Sequence, residues 1–161
     1  MQYEEFRNEI KSGDVLAWTH VGFKSWKDFE LMMVRLGQRS EYTHVGVAWV
    51  VAGRVFILEA VGTGIRIFPL SKELPFFHIA SNIEWSTDVE EFALSKLGEE
   101  YSKWEAFLGL FGKTSRDDKW QCSEYVREIL KKAGKDLDCE ATPSAVVNAM
   151  LDQGGSLLKV N

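Results

Sequence analysis

Two β-rich runs held two residues apart constrain this chain more than any other feature of it. Residues 43–51 (THVGVAWVV) and 54–60 (RVFILEA) are dense in β-branched and aromatic side chains, and only Ala52-Gly53 separates them. A two-residue connection between such runs predicts a β-hairpin. Counting back from the turn pairs Val51 with Arg54, Gly46 with Glu59 and His44 with Val61. Side chains alternate along a strand, so His44, Gly46 and Glu59 are expected on one face. His44 and Glu59 then form a diagonal pair, about 7–8 Å apart at Cα and within reach of each other. Gly46 is expected to leave the space between them open. A turn of odd length would put the pair on opposite faces.

The rest of the pattern is mixed. Residues 3–10 predict a short helix, Ser12-Gly13 a break, and 14–18 a strand. Trp26, Phe29, Met33 and Leu36 recur at helical spacing, predicting a helix over 25–36 that ends at Gly37. Residues 64–70 and 76–83 predict further strands of the same sheet. Thr87-Asp88-Val89-Glu90 has the form of a capping box opening a helix that runs to 97. In 98–119 only the polar stretch 112–118 reads clearly, as a loop. A helix is expected over 122–133, stopped by Gly134, and another from Thr142-Pro143 to 151, with Thr142 as N-cap and Pro143 in the first turn. Residues 157–160 predict a last edge strand. Without repeats, low-complexity tracts or a Pro/Ser-rich linker, this order predicts one α+β domain over 1–161.

Composition narrows the function classes. The 161 residues are 45% hydrophobic and include six Trp, enough for one well-buried core. Net charge is −5, and the lysines at 131, 132 and 135 lie at a helix end, where cations suit the dipole, so nucleic acid is not an expected partner. No apolar stretch reaches the roughly 18 residues of a membrane span. The acidic start Met1-Gln2-Tyr3-Glu4-Glu5 lacks the basic and apolar regions of a signal peptide, so a cytoplasmic protein is expected, although a mature secreted form would look similar. Two cysteines, Cys122 and Cys139, are too few for a disulfide framework and match no zinc spacing.

Cys122, His44 and Glu59 are the residue types of an activated nucleophile, its base and the orienter of that base. Each also has a plainer reading. Glu59 ends an apolar strand, either buried against a partner or reaching solvent. His44 alone fits a structural histidine. Cys122 follows a polar loop and opens a helix, where unpaired N–H groups favour a thiolate and can donate to an oxyanion. It also shares the core-facing stripe of Val126, Ile129, Leu130 and Ala133, as an inert buried cysteine would. His20 and His78 lack a partner at catalytic spacing. Cys139 lies among Asp136, Asp138 and Glu140, whose charges disfavour a thiolate and whose pattern lacks the glycine and terminal glutamate of a calcium loop. Trp104, Phe107, Leu108, Leu110 and Phe111 fit a core or an apolar groove.

The segments Gly13-Asp14-Val15-Leu16, Tyr42-Thr43-His44-Val45-Gly46-Val47, Leu58-Glu59-Ala60 with Gly62, residues 98–101, and Gln121-Cys122-Ser123-Glu124 occur in that order. Together they resemble the circularly permuted branch of the NlpC-type papain-like hydrolases, the YiiX/YaeF-like group, from about Gly13 to Met150. In that branch the histidine strand precedes the cysteine helix. The resemblance implies a papain-like fold, an antiparallel sheet with the nucleophile helix packed on it. It implies Cys122 as nucleophile, His44 as base and Glu59 as polar third member. The lecithin:retinol acyltransferase-like branch typically carries a histidine in the third place, so Glu59 favours the YiiX-like group. No side-chain oxyanion donor has a clear match; Tyr42 and Asp14 are the candidates for oxyanion or substrate contact. The implied activity is thiol hydrolysis of amide bonds through an acyl-thioester, on peptides such as those of the cell wall (murein), with no cofactor or metal. A lipid acyltransferase or thioesterase, and a non-catalytic binding module on the same fold, are the alternatives. The expected partner is a small peptide or acyl substrate; the sequence does not give the oligomeric state.

Overall fold

A computed structural model describes residues 1–19, 42–98 and 122–161. The helix expected over 25–36, the loop at 112–118, His20 and the aromatic cluster from Trp104 to Phe111 lie outside the described residues. Within them the order is α1 (Tyr3–Phe6), β1 (Val15–Trp18), β2 (His44–Val51), β3 (Arg54–Val61), β4 (Gly64–Pro69), a 3-10 turn (Leu70–Lys72), β5 (Phe76–Ile79), α2 (Thr87–Ser95), α3 (Cys122–Lys132), α4 (Pro143–Asp152) and β6 (Leu157–Val160). The six strands form one antiparallel sheet in the order β4-β3-β2-β1-β5-β6. This is an α+β arrangement. No helix among the described residues is long and apolar enough to cross a membrane.

The β2–β3 hairpin has the expected register, Val51↔Arg54 through Val47↔Leu58. Its two turn residues have positive φ, 50° at Ala52 and 71° at Gly53, the backbone that matches the twist of a tight hairpin. β4 continues the meander through a second two-residue turn, with Val61↔Gly64 and Glu59↔Arg66 in register.

Both faces of the sheet are covered. On one, Val45, Val47, Leu58 and Ala60 pack with Val126, Ile129 and Leu130 of α3 and Val146 and Val147 of α4. On the other, Leu16, Trp18, Ala48 and Ile57 pack with Tyr3 and Phe6 of α1 and with Leu70. Strands buried on both faces read as unbroken apolar runs, as Val15-Leu16-Ala17-Trp18 does.

Four local expectations are corrected. α1 ends at Phe6, and Ile10 reaches the core from beyond the helix. β5 ends at Ile79 rather than 83, because the Ser81 N–H donates to Asp14 Oδ1 (3.1 Å), drawing the chain out of the ladder. Ser86, not Thr87, caps α2: its side chain accepts the Val89 N–H. The supposed capping-box partner, Glu90, instead accepts from the indoles of Trp49 and Trp85, each at 2.8 Å. The space beside Gly46 is not open either. A Cβ there would lie 2.5 Å from Ile57 Cδ1 and 3.0 Å from the Leu58 carbonyl oxygen, so the glycine is needed for close packing.

Candidate active site

His44 is the first residue of β2, and Cys122 is the first described residue of α3. By alternation His44 lies on the α1 side of the sheet, while Cys122 belongs to the cluster under the helices. The two come near each other where β2 begins, close enough for the Cys122 side chain to favour the charged form of the His44 ring. On the other side of the ring, His44 Nε2 lies 2.6 Å from Glu59 Oε2. Nε2 is thus taken by the carboxylate, and Nδ1 is buried. Trp18, paired with His44 across β1 and β2, sets its ring 5.5 Å from the imidazole.

Glu59 is fully buried, so of its two readings the partnered one holds. Its second oxygen, Oε1, accepts from Arg66 Nε at 2.7 Å and lies 2.6 Å from Arg66 Nη2. The same Nη2 reaches Glu73 Oε1 at 3.3 Å. The chain of contacts therefore runs His44, Glu59, Arg66, Glu73. Sequence reasoning missed Arg66, although the signal was present. Counting back across Gly62-Thr63, as was done across Ala52-Gly53, pairs Arg66 with Glu59.

The charges follow from these contacts. Burial alone would push the His44 ring below its ordinary value. The Cys122 and Glu59 side chains, as hydrogen-bond partners and as charges, override burial and raise it from 6.5 to about 10. Burial also works against ionised Glu59, but the hydrogen bond and charge of His44, with those of Arg66, hold it below the usual carboxylate value. Burial and the nearby Glu59 charge push Glu73 up. Both side chains thus favour the protonated form of the ring.

Of the two further candidates, Tyr42 is buried in the same cluster as Cys122. Its backbone N–H donates to Ser144 Oγ, and its ring meets Phe77 edge-on at 5.7 Å. Asp14 is 4% exposed and tied into the fold on both oxygens. Oδ2 accepts the Lys11 N–H (2.8 Å) and lies 2.8 Å from His78 Nε2, while Oδ1 takes the Ser81 N–H. His78 thus has an acidic partner that its spacing did not announce. Cys139 is a free, half-buried thiol, pushed up by burial and by Asp138 and Glu140 against the pull of Arg127.

No protein-family model matches the chain, and no curated protein matches it. Among solved structures it is similar to the crystal structure of the metalloprotein YiiX from Escherichia coli O157:H7 (DUF1105), at 20% identity and a TM-score of 0.58, over 81% of this chain and 70% of that one. The resemblance to the YiiX-like group read from the segments above is thus met by a likeness of fold.

Proposed function

We propose that this chain is a cysteine hydrolase of the permuted papain-like kind, acting through an acyl-thioester on amide bonds. The observation that carries this reading is the buried His44–Glu59 pair, 2.6 Å apart, with the Cys122 side chain near enough to act on the same ring. The Cys122 thiolate attacks the substrate carbonyl and forms the C–S bond. The Cys122 backbone N–H, at the start of α3, helps to hold the oxyanion. Collapse breaks the C–N bond, and the amine leaves with the proton from His44. The neutral ring then takes a proton from water, whose oxygen attacks the thioester; Cys122 leaves as thiolate and the acid is released. Glu59 holds the ring orientation throughout. Asp14, spent on internal bonds, carries no step.

The structural neighbour is described as a metalloprotein. The residues described around Glu59 do not suit a metal. Among the described residues no group of three or more His, Cys, Asp and Glu could hold one, and Glu59 has one oxygen on Arg66 and the other on His44. A guanidinium against the carboxylate disfavours a second cation there. The steps proposed here are therefore assigned to Cys122, His44 and Glu59 alone.

Peptide amides, including those of cell-wall (murein) peptides, are the substrate class that the resemblance favours. Lipid acyl bonds come second in the same resemblance. A non-catalytic module is the reading favoured by His44 and Glu59 on opposite faces, and the two share one. The test is iodoacetamide labelling near neutral pH with mass-spectrometric mapping, alongside turnover by wild type, Cys122→Ala and Cys122→Ser. Cys122 is expected to label first, and both variants to lose turnover of a γ-glutamyl-diaminopimelate peptide. Labelling of Cys139 alone overturns the assignment. Preferred turnover of a short-chain acyl ester would move the proposal to the lipid class.

A further inference from the structure

We propose that Arg66 is a positioning residue of this site: it grips Glu59 Oε1 so that the carboxylate stays ionised, with Oε2 turned to His44. The proposal rests on the cysteine-hydrolase reading and extends it one strand outward.

The contacts divide the carboxylate between two partners. Oε1 faces Arg66 Nε and Nη2 at 2.7 and 2.6 Å, and Oε2 faces His44 Nε2 at 2.6 Å. Neither oxygen can turn without losing a charge-assisted hydrogen bond. The guanidinium is itself held in place. It lies over the Phe68 ring at 4.4 Å and reaches Glu73 Oε1 at 3.3 Å. The Glu73 carbonyl oxygen accepts the Trp18 indole N–H at 2.7 Å, and the Trp18 ring lies against His44. The grip therefore closes a loop through β4, the segment after the 3-10 turn, and β1.

The need for a third charge comes from proton placement. A histidine and a carboxylate alone in an apolar interior can relieve their burial by passing the proton from Nε2 to the carboxylate oxygen, leaving two neutral groups. A neutral ring no longer stabilises a thiolate at Cys122. Arg66 cannot take part in that relief, because a guanidinium keeps its proton in proteins. Its fixed positive charge lowers the energy of ionised Glu59 and so keeps the proton on His44. It is about one third exposed, which places the charged head between buried Glu59 and solvent. The titratable and charged groups of this network are His44, Glu59, Cys122 and Glu73. Glu73 is the group that competes for Arg66.

A double-mutant cycle tests this: wild type, Arg66→Gln, Glu59→Gln and the pair, each in a Cys139→Ser background so that only Cys122 is read. The readout is the pH midpoint of iodoacetamide alkylation, with the His44 ring followed by NMR. Unreactive Cys122 in the otherwise unchanged protein would overturn the hydrolase reading itself. With Cys122 reactive, R66Q is expected to raise the midpoint by about one pH unit, which is about tenfold in rate near pH 7. In the E59Q background the same change is expected to do nothing, since Arg66 acts through Glu59. A midpoint unchanged by R66Q, or moved equally in both backgrounds, overturns the proposal. Arg66→Lys keeps the charge without the fork and is expected to recover most of the shift. If R66Q fails to fold, R66K and the double variant complete the comparison. R66K as slow as E59Q, or a double variant displaced from E59Q, then overturns it.

Discussion

At the scale of single residues the site is an electrostatic device, and its pH dependence follows from the contacts. His44 is raised in the folded state from 6.5 to about 10. Its bound proton therefore stabilises the fold fully below about 6.5, where folded and unfolded chains both carry it. That contribution falls as pH rises above 6.5 and is gone once pH passes through about 10. Glu59, lowered in the fold, has the opposite sign. Its contribution is present above its unfolded value of 4.5 and is lost as pH falls through its lower folded value. The pair therefore contributes most between about 4.5 and 6.5. Urea unfolding of wild type and His44→Asn across pH 5–11 should give a stability difference that shrinks toward pH 10; a difference independent of pH would contradict the charged ring. The pairing of His44 with Glu59 was legible because a two-residue turn sets parity. Arg66 was open to the same arithmetic one turn later but was missed. The Asp14–His78 contact, in which residues 64 apart meet, left no such signal.

At the scale of elements, the hairpin sets the close approach that Gly46 requires. Ile57 lies on the same face and fills the room a side chain would occupy at position 46. Gly46→Ala is expected to destabilise by about 1–3 kcal/mol, the usual cost of overpacking, and Ile57→Val in the same chain should recover part of it. Denaturant midpoints of the single and double variants check this, and an unchanged G46A would mean that the Ile57 packing is wrong. Helix starts show what local sequence can and cannot settle. Thr142-Pro143 behaves as its pattern implies, with Thr142 accepting the Ala145 N–H. Thr87 does not, because Ser86 takes the cap and Glu90 is drawn away to two indoles, one of them Trp49 on β2. A capping box is a local pattern, and here a partner from across the fold outbids it.

At the scale of the whole molecule, β6 forms one edge of the sheet. It pairs with β5 from Ile79↔Leu157 to Phe76↔Val160, and Val160 is fully buried. The Tyr3 N–H donates to the Asn161 carbonyl at 2.9 Å, tying α1 to this edge. Removing residues 157–161 strips burial from Phe76 and His78 and is expected to lower Tm by about 5 °C or more in a thermal melt. An unchanged Tm would mean that β6 adds nothing. The sequence by itself determined the hairpin, its register, the shared face of His44 and Glu59, and the helix over Cys122–Lys132. These follow from turn length and side-chain period, which are properties of short stretches of chain. Only the tertiary structure decided that β1 lies between β2 and β5, that the α3 thiol comes near the β2 ring where the strand begins, and that Glu59 is wholly buried. Those depend on how faces far apart in sequence stack, and packing of that kind carries no local period to read.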